Sequence, residues 1–346
     1  MPRRLLVLGS SWFLGRAVTD AALTAGWDVT TFRRGRVESG ADPAGVTTVR
    51  GDYADPAAVA ALAEAGPFDA VVDNLAYTPR ETLAVARALE PVVERYVLVS
   101  TLSAYAGWPI EPLTEDSATL DCAPDAGPNP GHNGDPGPST YGFGKAGCER
   151  AVTSTFGADR VAVLRAGVIL GPHDYVGRLS WWLRRVRRGG RVLAPGDPLR
   201  GIQPIDVRDV AAFALRCAAG TPGVFNVTGP GTETFGDLLD ACARVVEPPT
   251  GTELVWASDE FLVSQGLRQW TELPLWRAYP GTWAVDASRA RAAGLVTRSL
   301  AETVRDTWEW LTGDAPVGHE RAGELGIMPE REAEVLAAWT DRQSGR

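Results

Sequence analysis

Apolar positions follow two rhythms along the first half of this chain. Leu5-Leu6-Val7-Leu8 is a continuous apolar run that stops at Gly9, the pattern of a strand buried on both faces. Ala17, Val18, Ala21, Ala22 and Ala25 then follow Leu14 at spacings of 3, 4, 7, 8 and 11. That is one face of a helix, and Gly26 ends it. Asp28–Phe32 and Gly45–Val49 predict a second and a third strand. Asp55 as N-cap, with Pro56 behind it, opens a helix over Pro56–Ala65. A strand over Asp69–Asp73, a helix over Pro79–Val93 and a strand over Arg95–Ser100 follow. A helix from Thr140 and a strand over Arg160–Arg165 come next. Strands alternating with helices predict an α/β fold on a doubly wound parallel sheet covered on both faces.

Beyond Leu170-Gly171-Pro172 the rhythm loosens. Leu179–Arg188 predicts a helix with a basic flank, and Asp206–Ala219 one with Val207, Val210, Ala211, Ala214 and Ala218 on one face. Gly223–Thr228 predicts a strand, Phe235–Val246 a helix, and the Glu- and Ala-rich tail from Glu320 to Trp339 a further helix. Cys122–Ser139 holds five prolines and four glycines and reads as a loop. The expected division is a sheet domain over residues 1–170 and a smaller C-terminal substrate lobe over 171–346, some of whose segments return to the sheet domain.

Composition narrows the setting. Of 346 residues, 45% are apolar and 22% charged, as in a soluble globular protein. A net charge of −9 argues against broad nucleic-acid binding. Cys122, Cys148, Cys217 and Cys242 form no C-x-x-C pair, so neither a metal site nor a redox pair is expected, and a reduced cytoplasmic location fits. No stretch approaches the roughly 20 apolar residues of a membrane span.

Chemistry enters at Gly9-Ser10-Ser11-Trp12-Phe13-Leu14-Gly15. A strand runs into a glycine-bounded turn and a helix opens behind it, which aims backbone N–H groups at a place where a pyrophosphate could sit. Trp12 stands where G-x-x-G-x-x-G would have its middle glycine. Tyr141-Gly142-Phe143-Gly144-Lys145 is the second signal. Positions i and i+4 share a helix face, and a lysine ammonium beside a phenol favours its phenolate, which suits acid–base work. Thr101 is the third: a hydroxyl just past the end of the fifth strand, where open α/β sheets place ligands. Cys148, seven residues after Tyr141, is expected to be buried and inert.

Together these pieces resemble the extended short-chain dehydrogenase/reductase family, in its NAD-dependent epimerase/dehydratase branch, over roughly residues 4–312. The resemblance implies a Rossmann-type domain binding a nicotinamide dinucleotide. By it, Thr101, in a segment closed by Tyr105, bonds the substrate oxygen. Tyr141 exchanges the proton, and Lys145 binds the nicotinamide ribose and tunes Tyr141. Gly9, Ser11, Trp12, Phe13, Leu14 and Gly15 would line the phosphates, and Asp52 and Tyr53 the adenine side. Leu75, Ala76 and Tyr77 would form a wall along the cofactor, with Ser100, Ala166 and Val168 nearby. Arg165 to Pro172 resembles R-x-x-x-[IV]-x-G-P, and Ile205 to Ala211 resembles I-H-V-x-D-V-A with Asp206 at the histidine. Ile202 stands where nucleotide-sugar members carry an arginine. The bulky Trp12 marks an atypical subset.

The second strand ends Phe32-Arg33-Arg34-Gly35-Arg36, with no acid for a ribose 2′-OH. Arg33 and Arg34 suit a 2′-phosphate, so NADP(H) is favoured over NAD(H). The leading expectation is an NADP(H)-dependent oxidoreductase interconverting a carbonyl and a secondary alcohol on a small polar metabolite. The alternatives are a nucleotide-sugar epimerase or dehydratase with tightly bound cofactor, and a non-catalytic cofactor-sensing or RNA-binding relative. Relatives commonly pair helices into homodimers, and the oligomer stays open. His132 and His173 read as structural, the alternative for His173 being a place at the nicotinamide end. The Arg184–Arg188 run reads as a solvated helix face or a site for a substrate phosphate, and the pair Trp181 and Trp182 as packing or as a surface for stacking on a ring.

Overall fold

Leu5, Leu6, Val7 and Leu8 are wholly buried, and this strand is an interior strand of the molecule's largest sheet. The computed structural model describes residues 2–34, 45–129, 139–313 and 323–345. The chain divides into two compact units. The first is Met1–Ile169 with Val207–Thr228 and Ala284–Thr297. The second is Leu170–Asp206 with Gly229–Trp283 and Arg298–Arg346.

In the first unit the strands are β1 (Arg4–Leu8), β2 (Asp28–Arg33), β3 (Val46–Arg50), β4 (Phe68–Asp73), β5 (Val93–Thr101) and β6 (Val161–Ala166). After β7 (Ile169–Leu170), β8 (Gly190–Pro195), β9 (Gly201–Ile202) and β10 (Ile205–Asp206), the chain returns with β11 (Gly223–Val227). The sheet order is β11-β6-β5-β4-β1-β2-β3, and every neighbouring pair is parallel. This is the doubly wound, Rossmann-type order with one strand added beyond β6. The helices are α1 (Phe13–Thr24), α2 (Pro56–Glu64), α3 (Pro79–Leu89) and α4 (Thr140–Phe156). After α5 (Arg178–Arg187), α6 (Val207–Ala218) follows. Leu6, Leu8, Val71, Tyr96 and Leu98 share one core with Val59 and Leu62 of α2, Val85 and Leu89 of α3, and Val152 and Phe156 of α4. Helix α1 packs against α6, whose predicted apolar face is buried throughout.

The predicted helix over Pro79–Val93 is shorter than expected. It stops at Leu89, and Val93 already opens β5. Pro91 is the cause: Glu90 before it is still helical, but a proline has no N–H to continue the ladder.

The second unit contains two strand pairs that the apolar rhythm did not predict. β8 runs parallel to β13 (Thr252–Ala257) over six residues, and β9 pairs antiparallel with β12 (Glu233–Thr234). Its helices are α5, α7 (Phe235–Val246), α8 (Asp259–Ser264), α10 (Leu300–Thr312) and α11 (Pro329–Ser344), while α9 (Ser288–Ala292) belongs to the first unit. The tail helix starts at Pro329, later than the expected Glu320, and residues 314–322 lie outside the described ones. Trp182 and Trp276 are buried in this unit's core, and Trp182 Nε1 donates to Pro274 O at 2.7 Å. No helix among the described residues is long and apolar enough to cross a membrane.

Candidate functional site

Gly9 takes φ 84°, a left-handed conformation that glycine adopts without strain, and its N–H donates to Phe32 O at 3.0 Å. A Cβ on Gly15 would lie 1.8 Å from Gly9 O, so only glycine lets the first turn of α1 close onto the loop. Trp12 occupies the N-cap position with extended backbone. Its side chain makes no cap hydrogen bond, and no acid sits in the first turn. Side chains cap α2 (Asp55), α7 (Thr234 with Asp237) and α10 (Ser299 with Glu302), while α5, like α1, has neither a side-chain cap nor an acid in its first turn. The N-cap side chain thus satisfies none of the first N–H groups of α1, and the helix dipole favours an anion there. Ser11, Trp12 and Phe13 are half-buried around this turn and Leu14 is buried. Leu75 packs on Gly9, with Cδ2 2.7 Å from where a Cβ would be, which brings the segment after β4 to the glycine loop.

The carboxyl ends of β2 and β3 are cationic. Arg33 and Arg50 are direct register partners, and burial together with Arg50 lowers the Arg33 pKa. Arg34 follows, exposed, while Gly35 and Arg36 lie outside the described residues. Sequence reasoning missed Arg50 because only strand register brings it beside Arg33. Asp52 Oδ1 accepts from Ala54 N at 3.0 Å. The Tyr53 ring is buried and its hydroxyl donates to Asp73 Oδ2 at 2.7 Å, so that side chain serves the core. Asp73 also accepts from Tyr96 and from Leu75 N, and burial still pushes its carboxyl up.

Helix α4 carries Tyr141 and Lys145. Ser139 caps it by accepting from Gly142 N. Glycines inside a helix each cost about 1 kcal/mol relative to alanine, and close approach explains two of them here. A Cβ on Gly142 would lie 2.2 Å from Ser103 O, and one on Gly144 would lie 2.6 Å from Tyr77 O. The helix is thus seated on the turn Leu102–Ala104 after Thr101 and on the backbone of Tyr77. Thr101 ends β5 with its Oγ1 accepting from Ser103 N at 3.2 Å, and pairs in register with Ala166. Val168 follows two residues later, half-buried.

Lys145 is 3% exposed. Its Nζ donates to Val99 O at 2.7 Å and lies 4.8 Å from the centre of the Tyr77 ring. The Tyr77 and Tyr141 rings are 6.1 Å apart. Burial alone would lower the lysine pKa, but Tyr141, Tyr77, Cys148 and Asp73 outweigh it and the net shift is upward. The group is an ammonium at neutral pH. One signal was overlooked: among 34 lysines and arginines, Lys145 is the single lysine.

Beneath this pair lies a buried network. Glu149, one turn after Lys145, takes a 2.7 Å ion pair from Arg165 and a 2.5 Å hydrogen bond from Ser100 Oγ. The Ser100 hydroxyl is thereby directed to α4. Cys148 is buried, and burial pushes its thiol up to about 12. Among the described residues no cluster of His, Cys, Asp and Glu could hold a metal ion. In the second unit the His173 ring lies 5.2 Å from Trp310, and Trp181 and Trp182 meet edge to face. Arg185 and Arg187 of the basic run bond within the fold. His132 lies outside the described residues.

Comparison with known proteins agrees with this architecture. The sequence model of the NAD dependent epimerase/dehydratase family matches residues 5–228. Among solved structures, the Bordetella bronchiseptica enzyme WbmH in complex with NAD+ superposes with a TM-score of 0.70. It is 20% identical, covering 91% of this chain and 100% of that one. The UDP-glucose 4-epimerase of Thermus thermophilus, complexed with NAD, gives a TM-score of 0.63 at 19% identity, covering 90% and 100%. A curated relative is the chloroplast stem-loop binding protein of 41 kDa b from Arabidopsis thaliana. It is 25% identical over 257 residues, which is 70% of this chain and 63% of the length of that protein.

Proposed function

We propose that this chain, which belongs to the NAD-dependent epimerase/dehydratase family, is an NADP(H)-dependent oxidoreductase. It would interconvert a carbonyl and a secondary alcohol on a small polar metabolite. The observation that carries the reading is Lys145. An otherwise arginine-only chain has its one lysine buried one helical turn from Tyr141, at the strand end that carries Thr101.

The residues present fit a nicotinamide dinucleotide. The uncapped first turn of α1 suits the pyrophosphate, and Arg33, Arg34 and Arg50 suit a ribose 2′-phosphate. Such a cofactor, when bound, supplies or accepts the hydride. Tyr141 gives its phenolic proton to the carbonyl oxygen, or takes one from the hydroxyl in the reverse direction. The Lys145 ammonium offsets the charge left on the phenolate. Thr101 has its oxygen engaged by Ser103 N, which leaves its proton for the substrate oxygen. The second unit is read as the substrate lobe.

A metabolite screen following NADPH absorbance tests the reading. Tyr141→Phe should lower kcat/KM by about 10²–10⁴-fold, the range of a lost general acid or base. Unchanged turnover would sink the assignment. For the cofactor, wild type should bind NADP(H) more tightly than NAD(H), and Arg33→Ala or Arg50→Ala should erase the preference. Equal binding before and after refutes it.

A second reading is a nucleotide-sugar epimerase, in which the hydride is returned to the substrate. The solved epimerases that share this fold with NAD bound favour it. Ile202 and Asp206 depart from the residues that the family's nucleotide-sugar members carry at these positions. Purified epimerase would retain cofactor and convert a nucleotide sugar with no net NADPH turnover, whereas the leading reading requires net turnover. The name of the plant relative raises RNA binding. The net charge of −9 weighs against it, and a gel shift with a stem-loop RNA decides.

A further inference from the structure

We infer that Tyr77 is a positioning residue for Lys145: its ring face and the Val99 carbonyl together hold the ammonium beside Tyr141. This rests on the reading of Tyr141 and Lys145 as the proton-handling pair. The family resemblance gives the segment after β4 only a backbone role along the cofactor. In this chain the side chain does more.

An ammonium has three N–H bonds and no lone pair. One is spent on Val99 O at 2.7 Å. A ring face 4.8 Å away attracts the cation through its quadrupole. Tyr77 is 54% exposed and Tyr141 44%, whereas Lys145 is 3% exposed. The cation is therefore buried beneath the Tyr77 ring, which itself faces solvent. Large hydrophobic side chains this exposed are few among the described residues, and the Tyr77 and Tyr141 rings meet at 6.1 Å. The placement is enforced from below, since Gly144 lets α4 close directly onto the Tyr77 carbonyl. The remaining groups that act on the ammonium are Asp73 and Cys148. The Asp73 carboxylate already accepts from two tyrosines and a backbone N–H, and the Cys148 thiol accepts from Thr82. Both are engaged elsewhere, whereas the Tyr77 ring meets both the ammonium and the Tyr141 ring.

The single lysine makes the test direct. Protein grown with lysine carrying carbon-13 at Cε gives one lysine methylene signal, in a folded protein and without substrate. In wild type the attached protons should give a nuclear Overhauser contact to the Tyr141 ring protons. Tyr77→Phe should keep that contact. Tyr77→Leu and Tyr77→Met should both lose it, although Tyr141 is unchanged, and NADP(H) affinity should fall several-fold in these two alone. If either non-aromatic variant that folds keeps the contact, the inference is overturned. If Tyr77→Phe loses it as fully as Tyr77→Leu does, the hydroxyl is the holder and the inference is again overturned. A signal that behaves as expected in a protein binding neither NADP(H) nor NAD(H) would refute the proposed function while leaving Tyr77 in its role.

Discussion

Two buried arginine–glutamate pairs, one in each unit, share nearly the same geometry and differ in what they hold. Arg165–Glu149 and Arg185–Glu332 each close at 2.7 Å with both side chains under a tenth exposed. In the first unit Glu149 is also bonded by Ser100, and the Arg165 guanidinium lies 4.5 Å from the Tyr105 ring centre. The pair ties α4, one turn past Lys145, to the ends of β5 and β6. In the second unit Glu332 also accepts from Leu193 N, and Arg185 donates to Gly189 O and Arg191 O. That pair staples α11 to α5 and β8. Residue type and burial are thus silent about chemistry. What separates the pairs is the strand ends, because the carboxyl edge of a parallel sheet is where ligands bind.

The largest expected effect treats the pairs alike. Glu149→Ala and Glu332→Ala each strand a buried guanidinium, and each should cost about 3–5 kcal/mol in urea denaturation. A loss under about 1 kcal/mol for either would end the parity. A smaller effect should separate them. Replacing both partners with apolar residues removes the stranded charge and is commonly neutral or stabilising. Arg165→Met with Glu149→Leu, and Arg185→Met with Glu332→Leu, should therefore both recover stability. Turnover should fall at least about tenfold in the first double variant, since small displacements of a catalytic group are costly, and stay near wild type in the second. Equal turnover in the two would show that the network under α4 does not position the site.

The smallest effect is a lack of reaction. Burial pushes Cys148 in the first unit and Cys217 in α6 each up to about 12, and Cys242 in the second unit upward as well. The thiolate is the reactive form, and it gains population only as pH rises toward the folded value. At pH 8 about 10⁻⁴ of a thiol with a pKa near 12 is ionised. Thiol reagents should leave all three untouched in the folded protein. Fast labelling of Cys148 alone would show that α4 opens more readily than the second unit.

The sheet of the first unit was legible because parallel strands buried on both faces leave unbroken apolar runs such as Leu5–Leu8. Its helices were legible where apolar spacing was clean, as on α6. The end of α3 was misread because Val92 and Val93 continue an apolar pattern across Pro91. In the second unit β8 was hidden: it starts at the second of two glycines, carries Arg191 and ends on a proline, a composition that reads as a turn. Within the candidate site, Tyr141 and Lys145 were visible because they share one helix face. Arg50, and the Tyr77 side chain as a partner of Lys145, were not, because register and the close seating of α4 bring them in from distant sequence. The glycines that allow this seating lay in plain view in Tyr141–Lys145, but their reason is a tertiary contact.

The solitary lysine has a practical consequence. A protease that cuts only after lysine has one bond to attack in the whole chain, between Lys145 and Ala146, and it lies inside α4. In the native protein that cut requires the helix to unwind, so its rate measures the local opening free energy of one element. Any compound that binds only when α4 is in place must slow the cut by mass action. Two fragments on a gel then give a ligand screen for a protein whose substrate is unidentified, with a signal that arises at the candidate site.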